Sequence, residues 1–298
     1  MGFSKHIDFN NLQIPHQLSY YQIPYLKTQD HSQIQIFKDD NFFIPFSIKE
    51  KAVISIEKSP FGSFLKLNSQ SPSQFETFEK EVLESLQQNH LDEIFIKHPS
   101  SIYSDFVDSS ELTKVGYSTF YNDINQHIVL SESWEDQIHK MQSRKLNSLE
   151  QDGFEFRKIE NTQVEKVYQF LTVCRQAQGL QINISLEKLE VLNKSLPDTY
   201  DFFGVFRENK MSAVCIAVKV TKDVAYYYLP GTSPLFRSHS PMVLLIAGMV
   251  SYYRKKGFKY LDLGVSSLEG KPQETLRLFK ERMGSVETKK PTFLKSLK

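Results

Sequence analysis

Two tandem α/β domains, about 1–130 and 150–298, are the fold class this sequence predicts. Three observations carry the prediction. The 298 residues are about twice the usual length of one domain. The same order of elements is written in both halves: a three-strand meander, a helix, a strand, a second helix and a long extended segment. A polar helical stretch, Ser131–Phe154, stands between them.

In the first half QIQIF (Gln33–Phe37), FFIPFSI (Phe42–Ile48) and AVISIE (Ala52–Glu57) read as short strands. The turn-like Asp39-Asp40-Asn41 and Lys49-Glu50-Lys51 join them into a meander. Pro45 cannot donate to a ladder, so an edge or a bulge is expected there. From Ser73 to Gln88, the apolar residues Phe75, Phe78, Val82, Leu83 and Leu86 share a helical face, with Ser73 and Glu76 as a capping box. A strand Glu93–His98, a short helix Ser109–Lys114 and a long strand Tyr117–Leu130 follow. In the linker, Trp134, Ile138, Met141 and Leu149 recur at helical spacing and Gly153 ends the helix. The second half repeats the order: strands Phe202–Glu208, Met211–Val220 and Val224–Leu229, a helix Pro241–Lys256, a strand Phe258–Val265, a helix Pro272–Met283 and an extended segment Ser285–Phe293.

Composition narrows the class. With 36 basic and 35 acidic residues, the net charge of +1 argues against a protein that coats nucleic acid, because phosphate affinity is mostly electrostatic. Two cysteines, Cys174 and Cys215, lie far apart in apolar stretches, which excludes a disulfide framework and a cysteine-based zinc site. The opening MGFSKHIDFNNLQIP lacks the apolar core of a signal peptide and the sixth-position Ser or Thr of a myristoylation site. The longest apolar run, Met242–Met249, is too short to cross a bilayer. A soluble, reduced, cytoplasmic protein without metal is expected.

The most informative stretch runs from Tyr226 to Ser267 and reads strand, loop, helix, strand. Ser240 is the expected N-cap and Pro241 the first helical residue; Arg254, Lys255 and Lys256 fill the last turn before Gly257. The middle, MVLLIAGMV, is apolar on every face, so this helix is buried and its flanking strands form a parallel crossover. Ligands collect at the carboxyl end of such a strand and the amino end of such a helix. That places Arg237, Ser238, His239, Ser240 and Met242 beside amides suited to an anion. Along Phe258–Gly264 the alternation puts Tyr260, Asp262 and Gly264 on one face. A carboxyl group inside an apolar strand must bind a substrate amine, receive a proton or hold a structural hydrogen bond. In the last helix, Leu276, Phe279 and Met283 form an apolar stripe, with Arg277, Lys280 and Glu281 on another face. Arg144 and Lys145, late in the linker helix, read alone as solvated cations.

Three segments carry a resemblance. LTKVGYSTFYNDINQHIVL is similar to the end of a first domain, WEDQIHKMQSRKLNSLEQDGFEF to a basic linker, and KKGFKYLDLGVSS with LRLFKERMGS to a Gly–strand–Asp-x-Gly segment and a Phe-Lys-x-x-Phe-Gly motif, with Met283 in the second aromatic position. Together they resemble the GNAT acyltransferase superfamily, in its Fem-type branch of two tandem GNAT-like domains. The resemblance implies an α/β (α+β) fold in which each domain is a mixed, largely antiparallel sheet flanked by helices. The partition would be a non-catalytic first copy at 1–130, a linker helix at 131–153, and a second copy with the active cleft at 154–298.

It also implies direct acyl transfer to an amine, with the donor across Tyr226–Leu229 and Tyr260–Gly264. Lys280 is carried over as a residue binding an anionic substrate group, with Arg277, Tyr260 and Arg144 on the substrate side. Asp262 and His239 are the candidate bases and Tyr228 the candidate acid; Arg237, Ser238, Ser240 and Met242 would hold the donor. One departure matters. Where the superfamily has a Gln/Arg-x-x-Gly-x-Gly/Ala loop for coenzyme A, this chain has Arg237-Ser-His-Ser-Pro-Met242, without glycine.

Three functions are therefore weighed. The first is an N-acyltransferase using acyl-coenzyme A on a small-molecule amine, an amino-sugar or peptide precursor of the cell surface. The second is an aminoacyl-tRNA-dependent transferase, which needs a contiguous basic surface around Arg144, Lys145 and Lys280. The third is a degenerate pair of domains that only binds. DNA is not an expected partner.

Overall fold

The computed structural model describes residues 18–29, 34–56, 58–68 and 72–298. The expectations for MGFSKHIDFNNLQIP and for Gln33 and Glu57 lie outside them. The chain runs α1 (Ile23–Lys27), β1 (Ile34–Lys38), β2 (Phe42–Lys49), β3 (Ala52–Ser55), β4 (Leu65–Lys66), α2 (Pro72–Gln87), β5 (Glu93–Lys97), α3 (Ser109–Lys114) and β6 (Ser118–Val129). It continues α4 (Trp134–Gln137), α5 (Lys140–Gln151), β7 (Phe154–Ile159), α6 (Val164–Gln176), α7 (Leu186–Ser195), β8 (Tyr200–Arg207), β9 (Lys210–Lys219), β10 (Val224–Thr232) and α8 (Met242–Lys255). It ends β11 (Tyr260–Val265), β12 (Ser267–Leu268), β13 (Lys271–Pro272), α9 (Glu274–Arg282) and β14 (Val286–Ser296). Two compact units result: Met1–Ile124 with Ser267–Lys271 and Thr288–Lys298, and Asn125–Ser266 with Pro272–Glu287.

In the first unit the strands lie in the order β1-β2-β3-β5-β14-β6. β1, β2 and β3 are the antiparallel meander, and β3 pairs parallel with β5 after the α2 crossover. Pro45 sits where neither β3 nor β4 pairs with that side of β2, so its missing N–H costs no ladder bond. The core explains the aromatic composition. Phe42 stacks on Phe78 at 5.4 Å and Phe64 meets Phe75 edge-on at 5.1 Å. Each such pair contributes about 0.5–1.5 kcal/mol beyond area burial. The expected capping box is displaced: α2 already includes Pro72, so Ser73 lies inside the first turn and its carbonyl accepts the Thr77 hydroxyl.

The second unit has the order β6-β11-β10-β9-β8-β7. β7 to β10 form an antiparallel meander, β10 and β11 pair in parallel around α8, and β11 pairs antiparallel with β6. Val243, Leu245, Ile246, Met249, Val250 and Tyr253 of α8 are buried in one core with Trp134, Phe203, Leu261 and Leu263. Gly248 lets that helix meet the sheet, since a Cβ there would lie 2.2 Å from the Phe156 ring. The opposite face meets α6: a Cβ on Gly231 would stand 2.7 Å from Leu171.

Each unit is completed by a strand from the other half of the sequence. β14 closes the first unit against β5, and residues 125–129 of β6 close the second against β11. The expected linker residues 131–153 fall inside the second unit, and 288–298 inside the first. The linker is two helices rather than one. Ile138 is extended, and His139 starts α5 by accepting the Met141 amide on Nδ1. Among the described residues, no helix is long and apolar enough to cross a membrane, and no cluster of metal-ligating side chains occurs.

Candidate active site

The second unit contains a parting of strands. β10 and β11 are paired only from Val224–Tyr260 to Tyr226–Asp262. Beyond that rung β10 follows β9 to Thr232, with a bulge at Tyr228 between the Tyr227–Ala217 and Leu229–Ile216 pairs. β11 turns away at Gly264, whose φ of +73° suits glycine, and the register against β6 shifts there as well. A Cβ on Gly264 would also press within 3.1 Å of the Tyr226 ring.

The loop after β10 leads to the amino end of α8. Pro234–His239 makes a 3₁₀ turn, and Ser240 then adopts φ 57°, ψ 48°. That left-handed conformation is the one glycine ordinarily supplies. The expected N-cap is corrected: Pro241 occupies that place and no side chain caps the helix. Ser240 instead accepts Lys145 Nζ on its hydroxyl at 3.2 Å and the Val243 amide on its carbonyl. The Leu245 amide goes to the Pro241 carbonyl. Among the described residues the Met242 and Leu244 amides have no backbone acceptor, as the first turn of a helix dictates. Arg237 and Ser238 are exposed beside them. Met242 is partly buried and its sulfur accepts the Tyr227 hydroxyl at 3.2 Å.

The other predicted residues divide. Tyr226 and Tyr228 lie 6.1 Å apart between ring centroids. Burial pushes the Tyr228 phenol up to about 12, against the opposing charge of Arg175. Arg175, on α6, donates from Nη2 to the Pro230 carbonyl at 3.2 Å. Asp262 is buried, and Oδ1 accepts both Asn125 Nδ2 and the Gly264 amide at 2.9 Å. Of the three roles open to this carboxyl, the structural hydrogen bond is thus present. His239 is elsewhere: its ring packs at 5.3 Å on Phe154, a member of the α8-side core, and near Phe236. Leu261 and Leu263 face that core, so the alternation of β11 sends Asp262 to the opposite face.

Lys280 does not share an exposed face with Arg277. It is buried, and Nζ donates to the Gly264 and Val265 carbonyls at 2.9 and 2.8 Å, supplying a donor where β11 leaves the ladder. Leu276, expected in the apolar stripe, is exposed. Arg277 is held by Glu287 and Glu274. Arg144 is exposed, while its neighbour Lys145 is the cation that reaches the loop. Tyr260 is half-buried, with its ring 5.5 Å from His127.

Two residues beside the parted strands escaped the sequence reading. His127 is the cross-strand partner of Asp262, and only a register could reveal that. Arg175 belongs to a helix whose stripe Val164, Val167, Leu171 and Cys174 is plain in the sequence.

Residues 143–271 match the family model of the acetyltransferase (GNAT) domain. FemX shares the fold over 99% of this chain and 97% of its own, at 10% identity and a TM-score of 0.69. The C-terminal domain of a protein described as a lysylphosphatidylglycerol synthetase from Agrobacterium fabrum covers 89% of this chain and 84% of its own, at 14% identity and a TM-score of 0.65. L-PGS from Bacillus licheniformis covers 88% and 83%, at 13% identity and a TM-score of 0.62. Comparison with curated proteins gives no match.

Proposed function

From the match of residues 143–271 to the acetyltransferase (GNAT) domain and the fold shared with FemX, we propose that this chain is an N-acyltransferase of the Fem-type GNAT kind, taking its acyl group from acyl-coenzyme A. The observation that carries the choice of donor is Ser240. Its left-handed backbone does what the absent glycine would do, so the Arg237–Met242 loop keeps the turn that opens the helix end. The diphosphate would meet Arg237 and the amides of Met242 and Leu244, where charge and helix dipole both favour an anion. The acyl arm would lie in the parting beyond the Tyr226–Asp262 rung. A thioester supplies an activated carbonyl and a good leaving group. The chain's own part is to hold that carbonyl near the Tyr228 bulge and exclude water; orientation of this kind lowers barriers most. Tyr228 keeps its proton at neutral pH and would donate a hydrogen bond to the departing sulfur.

The aminoacyl-tRNA reading is less well supported. Of the three cations that reading needs, Lys280 is spent on two carbonyls and Lys145 on the Ser240 hydroxyl, which leaves the exposed Arg144. The acceptor class we favour is an amino-sugar or a peptide amine of a cell-surface precursor, with the first unit as a non-catalytic copy. The test is release of free thiol from acetyl-coenzyme A in the presence of glucosamine, lysine or alanyl peptides. Amine-dependent release at a rate proportional to enzyme supports the reading; its absence across all of them contradicts it.

A further inference from the structure

One row of side chains crosses three adjacent strands at the rung where β10 and β11 part. Tyr226 is opposite Asp262, and Asp262 is opposite His127. Directly opposed residues project to the same face of a sheet, so all three lie on the face away from α8. Neighbouring strands are about 4.8 Å apart, which sets His127 two strands, roughly 10 Å, from Tyr226. His127 is 5% exposed and, among the described residues, its Nδ1 has no hydrogen-bond partner. A buried ring nitrogen left unpaired keeps its desolvation penalty uncompensated, and such orphans are rare unless something else uses them. The neighbouring Gln126, by contrast, faces the other way and is fully engaged with Arg277, Ser285 and Ser266.

We propose that His127 is a catalytic residue, the group that takes the proton from the attacking amine. The step rests on the acyl-transfer reading above. The amine nitrogen bonds to the acyl carbon, the carbon–sulfur bond breaks with its electron pair going to sulfur, and the amine proton passes to the imidazole. The products are an amide, a thiolate hydrogen-bonded by Tyr228, and an imidazolium opposite Asp262. That carboxyl, already fixed by Asn125 and the Gly264 amide, faces the imidazolium as it forms. Burial lowers the affinity of His127 for a proton before the reaction, with Asp262 opposing, so the free-base form is the resting one at neutral pH. Tyr260 packs edge-on to the ring and Tyr226 lies beyond Asp262; these are the titratable neighbours on the same face.

The test uses the full chain with acetyl-coenzyme A and the amine that gives turnover. His127→Gln is expected to lose 10²- to 10⁴-fold in kcat, the usual worth of a general base. Its affinity for acetyl-coenzyme A should stay within threefold of wild type. His127→Ala should regain activity when imidazole is added, which no packing role would produce. On the wild type alone, log kcat/KM should fall with unit slope on the acid side, beginning below the ordinary histidine value of about 6.5 because burial disfavours the imidazolium. Turnover within threefold of wild type in both variants, or no recovery of His127→Ala activity with imidazole, overturns the role of His127 and leaves acyl transfer standing. No wild-type turnover with any amine overturns the acyl-transfer reading and this assignment with it.

Discussion

Replacing Ser240 by glycine and by alanine isolates the conformation on which the donor loop depends. Ser240 is left-handed at φ 57°, ψ 48°. An L-residue pays about 1–2 kcal/mol for that region, whereas glycine pays nothing there but loses roughly 0.5–1 kcal/mol more chain entropy on folding. Both substitutions remove the hydroxyl that accepts Lys145, so that loss cancels between them. The glycine variant should therefore be more stable than the alanine variant by roughly 0.5–1 kcal/mol. Urea unfolding followed by fluorescence of Trp134 reads this directly. It is the single tryptophan, it is buried, and its indole donates to the Met283 carbonyl in the same unit as Ser240. Equal midpoints at equal slopes, or a more stable alanine variant, would refute the claim that Ser240 stands in for a glycine.

Other expectations follow from the same geometry. Gly248→Ala gains about 1 kcal/mol of helix propensity but sets a methyl 2.2 Å from a ring atom of Phe156, itself stacked on Phe203. Overpacking of that kind costs about 1–3 kcal/mol, so the same unfolding assay should show net destabilisation. Lys280→Met leaves two backbone carbonyls without their donor and should cost roughly 2–4 kcal/mol. Arg277→Ala, which breaks only exposed ion pairs, should leave the midpoint nearly unchanged. In the first unit, burial pushes His98 down to about 4, below its unfolded value near 6.5. Between those values the unfolded chain binds the extra proton, so stability is whole above pH 6.5 and falls as pH drops toward 4, by roughly 3 kcal/mol in all. His98→Gln should flatten that slope in a pH series of urea midpoints.

The α8 segment shows what local sequence can state. Pro241 at its start, Gly257 after its last basic turn and an all-apolar middle placed a buried crossover helix within a residue or two of where it lies. The same local logic misplaced Lys280, because a lysine on a helix face reads as solvent unless one knows that β11 breaks its ladder at Gly264 and presents two carbonyls. It also offered Asp262 and His239 as alternative bases, and the two lie on opposite faces of the sheet. The partner across the strand, His127, is 135 residues away in the chain and could not be seen without the register. Nor could the reciprocal strands: β6 and β14 are extended by composition, but which sheet each completes is a matter of long-range pairing. The left-handed Ser240 was hidden for a different reason. Serine carries no signal for positive φ, and the chain imposes it through the turn on either side.

The central claim is that the end of β10 and the start of α8 form a site for acyl-coenzyme A, and calorimetric titration with acetyl-coenzyme A tests it most directly. Micromolar binding, about −8 kcal/mol, that weakens at least tenfold in Arg237→Ala is the predicted result. No detectable heat with the wild-type protein, or equal affinity in the variant, would contradict it.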